Sequence, residues 1–103
     1  RIMGQMKILR NCESNDNPMA YVYNDGGSSS YGLYQYKKAT WYAYIERYKL
    51  FPDAEPAELM NLIWDRYSQE LVTRTILTNE PQSWRLWYNC LKYRIYPLTT
   101  SKL

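Results

Sequence analysis

Chain breakers decide most of what this sequence can become. Pro18, preceded by Asn15-Asp16-Asn17, stops any helix that comes before it. Asn24-Asp25-Gly26-Gly27 is a strong turn signal. Pro52-Asp53 and Asn79-Glu80-Pro81 are further breaks, and Pro56 sits where a first-turn proline is tolerated. Ile2, Met6, Leu9 and Cys12 recur at helical spacing over residues 1–12. Glu13 then falls at or just past that helix's C-terminal end. Tyr21, Val22 and Tyr23 favour a strand, so residues 19–36 read as a short irregular hairpin or loop region. Residues 38–50 predict a helix with Trp41, Tyr44, Ile45 and Tyr48 on one face. A helical stretch follows from about Pro56 to Leu77, in one or two pieces. Its expected buried face is Leu59, Ile63, Tyr67, Leu71 and Ile76 or Leu77. Residues 81–90, with Trp84, Leu86, Trp87 and Cys90, start again as helix. The expected class is mainly α (α+β), about five helices with a short β-hairpin or loop region after the first.

The 103 residues suit one domain, expected over residues 1–90, with 91–103 as a C-terminal tail. The chain opens inside a predicted helix and shows no signal peptide, as expected of an excised or mature domain. No run of about 18 apolar residues occurs, so no membrane span is expected. Aromatic residues make up 17% of the chain, twelve of them tyrosines, which argues against disorder and suits a core margin or a binding groove. The formal charge of +3 favours an anionic polymer or simply marks an ordinary surface. Lys37-Lys38 is the only adjacent basic pair, too little for a nucleic-acid footprint, so no nucleic-acid partner is expected. Histidine is absent, which removes Ser-His and Cys-His nucleophile systems and most zinc sites. Any catalysis must run on carboxylates, tyrosines or lysines, and neither a metal nor a cofactor is expected.

Cys12-Glu13-Ser14-Asn15-Asp16-Asn17-Pro18 is followed by Gly26-Gly27 and Tyr31-Gly32-Leu33-Tyr34-Gln35, then by Thr40-Trp41 and, near the end, Trp87-Tyr88-Asn89-Cys90. This order resembles the lysozyme-like superfamily: the lytic transglycosylases, the goose-type lysozymes and the related resuscitation-promoting-factor domains. They share a Glu-Ser pair, often with Asn-Pro soon after, and a Gly-Leu-x-Gln segment. The last group adds a cysteine before the glutamate, a Thr-Trp, and a second cysteine after a tryptophan. The resemblance covers about residues 6 to 90. It implies a lysozyme-like fold and a monomeric enzyme that cleaves the β-1,4 bond of peptidoglycan glycan strands, with Glu13 as catalytic acid. It also implies a disulfide between Cys12 and Cys90, closing a loop of about 77 residues and contributing at most about 4 kcal/mol. The alternative is two separate buried thiols. A disulfide favours an extracytoplasmic location: secreted, periplasmic, cell-wall associated or virion-borne.

The chemistry has its own logic. Glycoside cleavage needs an acid that protonates the leaving oxygen. A carboxyl serves near neutral pH only if apolar surroundings raise its pKa, and the negative end of a helix acts the same way. The substrate-binding residues expected around Glu13 are Ser14, Asp25, Tyr31, Gly32, Tyr34, Gln35 and Tyr88. Ser14 would bond the backbone and fix Glu13. Asp25 either positions a water, as aspartates in goose-type lysozymes do, or simply makes the turn. Gly32 would let the backbone approach beside the acid. Gln35 either bonds a sugar group or holds its loop. Tyr31 and Tyr34 flank the Gly-Leu pair as groove residues, whereas Leu33, Trp41 and Trp84 read as core. The family's Ala-Tyr-Asn segment is missing, and Tyr88-Asn89 is the candidate substitute. That departure leaves a second reading open, a non-catalytic peptidoglycan-binding module of the same fold.

Overall fold

The computed structural model describes residues 1–87 and Cys90. Among them are four α-helices and one antiparallel hairpin: α1 (Ile2–Ser14), β1 (Tyr21–Asp25), β2 (Ser28–Tyr31), α2 (Lys38–Arg47), α3 (Pro56–Leu62) and α4 (Arg66–Asn79), followed by a 3-10 helix, Pro81–Trp87. The class is α+β, as expected. Among the described residues the count is four helices against the expected five or so, because Pro81–Trp87 winds as 3-10. The expected tail at 91–103 lies outside the described residues.

Several of these boundaries are set by identifiable bonds. Asn15 and Asp16 turn left-handed at φ 58° and 62°, a conformation that Asn and Asp tolerate better than most residues. Their N–H groups close the end of α1, reaching Asn11 O and Arg10 O at 3.0 Å each. Asn17 Oδ1 then accepts from Met19 N at 2.9 Å and steers the chain past Pro18. Ahead of α3, Glu58 Oε1 accepts from Glu55 N at 2.7 Å, with Pro56 in the first turn. Asp65 caps α4 by accepting from Ser68 N at 2.9 Å.

That cap also alters part of the expected buried face: Ile63, Ile76 and Leu77 are buried as expected, and Tyr67 is not. The interruption between α3 and α4 resets the helical phase. Ser68, Gln69, Val72, Thr73, Ile76 and Leu77 point inward on α4, and Tyr67 stands 77% exposed. α1, α2 and the 3-10 helix all pack on α4. Met6 and Leu9 of α1 meet Trp41 and Ile45 of α2 and the Leu33–Tyr36 loop in one core. Trp41 is fully buried and donates its indole N–H to Leu59 O at 2.8 Å, which ties α2 to α3. Burying such a side chain contributes roughly 2–3 kcal/mol. Tyr34 and Tyr36 stack edgewise on Trp87. Burial pushes both phenols well above their ordinary range. Glu70 reinforces the effect at Tyr34 by accepting its hydroxyl.

Candidate active site

Glu13 lies in the last turn of α1 and is half-buried. Cys12 and Cys90 are joined as a disulfide, and Cys90 Sγ sits 3.1 Å from Glu13 Oε2. A bridged sulfur has no hydrogen, so only the protonated carboxyl can donate in this contact. Burial, with the charge of Asp25 second, pushes the Glu13 carboxyl up to about 7. Desolvation and a like charge both disfavour the ionised form, so they act together here.

Asp25 ends β1 at the hairpin turn. Its carboxylate accepts from Ser30 Oγ at 2.9 Å and faces Lys37 Nζ at 3.7 Å. Lys37 also donates to the main-chain oxygens of Asp25 and, at 2.6 Å, of Ser28. This lysine clasps both strands from the residue before α2. Only its charge was visible in the sequence. Asp25 therefore makes the turn and also acts electrostatically on Glu13. Asp16 is engaged elsewhere, pairing with Arg66 at 2.9 Å and Arg10 at 3.3 Å. Those guanidiniums hold its carboxyl below the ordinary range.

Ser14 does bond the backbone. Its hydroxyl donates to Arg10 O at 3.0 Å and accepts from Asn17 N at 3.1 Å. Gln35, with φ 56°, donates its amide to Gly32 O at 3.0 Å and so holds its loop. Gly32, with φ 80°, is required for a different reason from the one expected. A methyl there would run into the Gln69 side chain and the Ile63 carbonyl, so the close approach is to α4 and not to the acid. Gln69 is fully buried. It accepts from Leu33 N at 2.5 Å and donates to Pro18 O at 3.2 Å, pinning the chain on both sides of the hairpin.

The aromatics divide sharply. Tyr34 is fully buried, with Arg10, Glu70 and Trp87 bonded around it. Its ring belongs to the core and cannot meet a ligand, which corrects its expected place in the groove. Trp87 is likewise buried. Tyr31 is half-buried, packed against the margin of the core. Its ring centroid is 5.3 Å from Tyr21 and 5.3 Å from Trp64, and Tyr21 lies 6.2 Å from Trp64. Tyr21 is 49% exposed. Tyr21 and Trp64 were missed as site residues. Tyr21 read only as strand, and Trp64 fell inside a helical stretch whose break was not located. Tyr88 and the side chain of Trp84 lie outside what is described. Comparison with protein-family models, curated proteins and solved structures finds no match.

Proposed function

We propose that this chain is a peptidoglycan-cleaving glycosidase or lytic transglycosylase of lysozyme-like fold. It acts on the β-1,4 bond between N-acetylmuramic acid and N-acetylglucosamine, outside the cytoplasm and as a monomer. The observation that carries the reading is the carboxyl of Glu13, half-buried against the bridge sulfur and under the influence of Asp25, and so holding its proton to about 7. An acid with that affinity suits proton transfer to a glycosidic oxygen at near-neutral pH.

Glu13 donates to the leaving oxygen as the bond to the muramyl carbon opens. The resulting carboxylate then takes a proton from the incoming nucleophile. The muramyl 6-hydroxyl gives an anhydro product, and water gives a reducing end. Asp25, anchored by Ser30 and Lys37, places negative charge where a cationic sugar ring gains from it. Tyr21, Tyr31 and Trp64 offer ring faces on which the apolar side of a pyranose stacks.

The missing Ala-Tyr-Asn segment and the buried ring of Tyr34 favour the second reading, a non-catalytic peptidoglycan-binding module. Clearing of a cell-wall suspension separates the two. Wild type is expected to clear it, and Glu13→Gln to lose roughly 10²–10⁴-fold in rate. Equal clearing by both, or wall binding without clearing, discards Glu13 as the acid. Mass spectrometry of the digest assigns the product, since the hydrolytic fragment is heavier by one water.

A further inference from the structure

The two sulfurs of the bridge meet different surroundings. Cys90 is only 2% exposed and touches Glu13, whereas Cys12 is exposed. Cys12 also borders a hollow of about 320 Å³ lined by Ile8, Asn11 and Asn15. Solvent thus reaches the bridge from the Cys12 side, while the Cys90 sulfur covers the acid. We propose that the Cys12–Cys90 bridge is a reducible cover on Glu13, opened from the Cys12 side by a dithiol, which switches the site off in reducing surroundings. This rests on the reading of Glu13 as the acid.

The exchange balances without a further reagent. A thiolate of the dithiol attacks Cys12 Sγ, and the S–S bond breaks with its electron pair on Cys90. Glu13, 3.1 Å away, is placed to protonate that leaving thiolate. The second thiol of the dithiol then closes on the mixed disulfide and releases Cys12. Two electrons and two protons pass to the bridge, and the dithiol leaves as a disulfide.

Opening changes one side of the acid only. The charged group acting on Glu13 from the hairpin is Asp25, which keeps Ser30 and Lys37 as partners. Arg10, on the same helix as Glu13, stays committed to Asp16 and Glu70. Bond scission removes the tether that holds Cys90 over the carboxyl. The new thiol can donate a hydrogen bond, which a bridged sulfur cannot, and that favours the carboxylate. Both changes loosen the proton. An acid titrating at about 7 is roughly 90% protonated at pH 6, and one at its ordinary 4.5 roughly 3%, so activity there should fall by up to about thirtyfold. At pH 4 the two forms should differ by less than about twofold.

The test follows the Glu13 carboxyl carbon by NMR in the full chain carrying ¹³C-labelled glutamate, with Glu13→Gln for assignment. Titrations compare the oxidised chain with the chain reduced beforehand by dithiothreitol, and circular dichroism monitors folding. The expected midpoint lies near 7 when oxidised and at least about one unit lower when reduced, with the fold retained. The Cys12→Ser, Cys90→Ser double variant should give the low midpoint with or without reductant. An unchanged midpoint overturns the proposal. So does unfolding of the reduced chain, because the bridge is then only a staple. Wall clearing should drop at pH 6 far more than at pH 4, and an equal drop at both also overturns it. A midpoint that moves as expected in a chain that never clears walls upholds the cover and defeats the glycosidase reading alone.

Discussion

Replacing Glu13 by glutamine should stabilise the folded chain, increasingly as pH rises above about 4.5 and fully above about 7. The amide matches the carboxyl in shape and stays neutral, so it mimics the protonated acid. Below about pH 4.5 both folded and unfolded wild type hold the Glu13 proton, and the substitution changes little. Between 4.5 and about 7 the unfolded chain releases that proton while the folded chain retains it. Stability therefore falls as pH rises through this window, and the loss is complete above 7. The full span corresponds to roughly 3 kcal/mol if no water reached the group. Glu13 is only half-buried, so solvent screening reduces this to about 1–2 kcal/mol. For a domain of this size that amounts to roughly 5–10 °C in Tm. Urea or thermal unfolding of both chains, oxidised, at pH 4 and pH 8 measures it. A stability difference that is the same at the two pH values would refute the claim that the fold holds this carboxyl against its charge.

Gly32→Ala should lower stability by about 2–3 kcal/mol, because the new methyl meets Gln69 and Ile63 at a positive φ; chemical denaturation reads it directly. Gln69→Leu leaves Leu33 N–H and Pro18 C=O without their side-chain partner and should cost about 2 kcal/mol, with faster amide exchange at Leu33. Trp64→Ala removes a ring worth about 1 kcal/mol of stacking and should weaken binding of a soluble glycan fragment several-fold by calorimetry, with little change in Glu13 titration.

Much of the architecture is written in short-range signals. Asn15-Asp16-Asn17 ahead of Pro18, the Asn24–Gly27 turn, and the prolines at 52, 56 and 81 divide the chain close to where its elements end. They act through their own backbones, so nothing distant has to be known. Periodicity worked where a segment was uninterrupted, as in α1 and α2. From 56 to 77 it placed Ile63, Ile76 and Leu77 inside correctly but not Tyr67, which the new helix started by Asp65 turns outward. The site was legible in part. Glu13 lies at the end of α1 and Asp25 at the hairpin turn, as the breakers imply, and the cysteine pairing implied by the family resemblance is present. Which rings faced out was not legible. Tyr31 and Tyr34 carry the same side chain three residues apart, and only long-range packing against Trp64 or against Glu70 and Trp87 separates them. Gln69 holds the hairpin's flanks from more than thirty residues away, a contact with no local trace.

The sealed phenols of Tyr34 and Tyr36 give the molecule a built-in optical gauge. Their protons are held far more tightly than those of free tyrosine. In alkaline solution these two rings stay dark in the phenolate absorbance band for as long as the core is closed. Their late appearance there would mark the moment when the interior admits hydroxide.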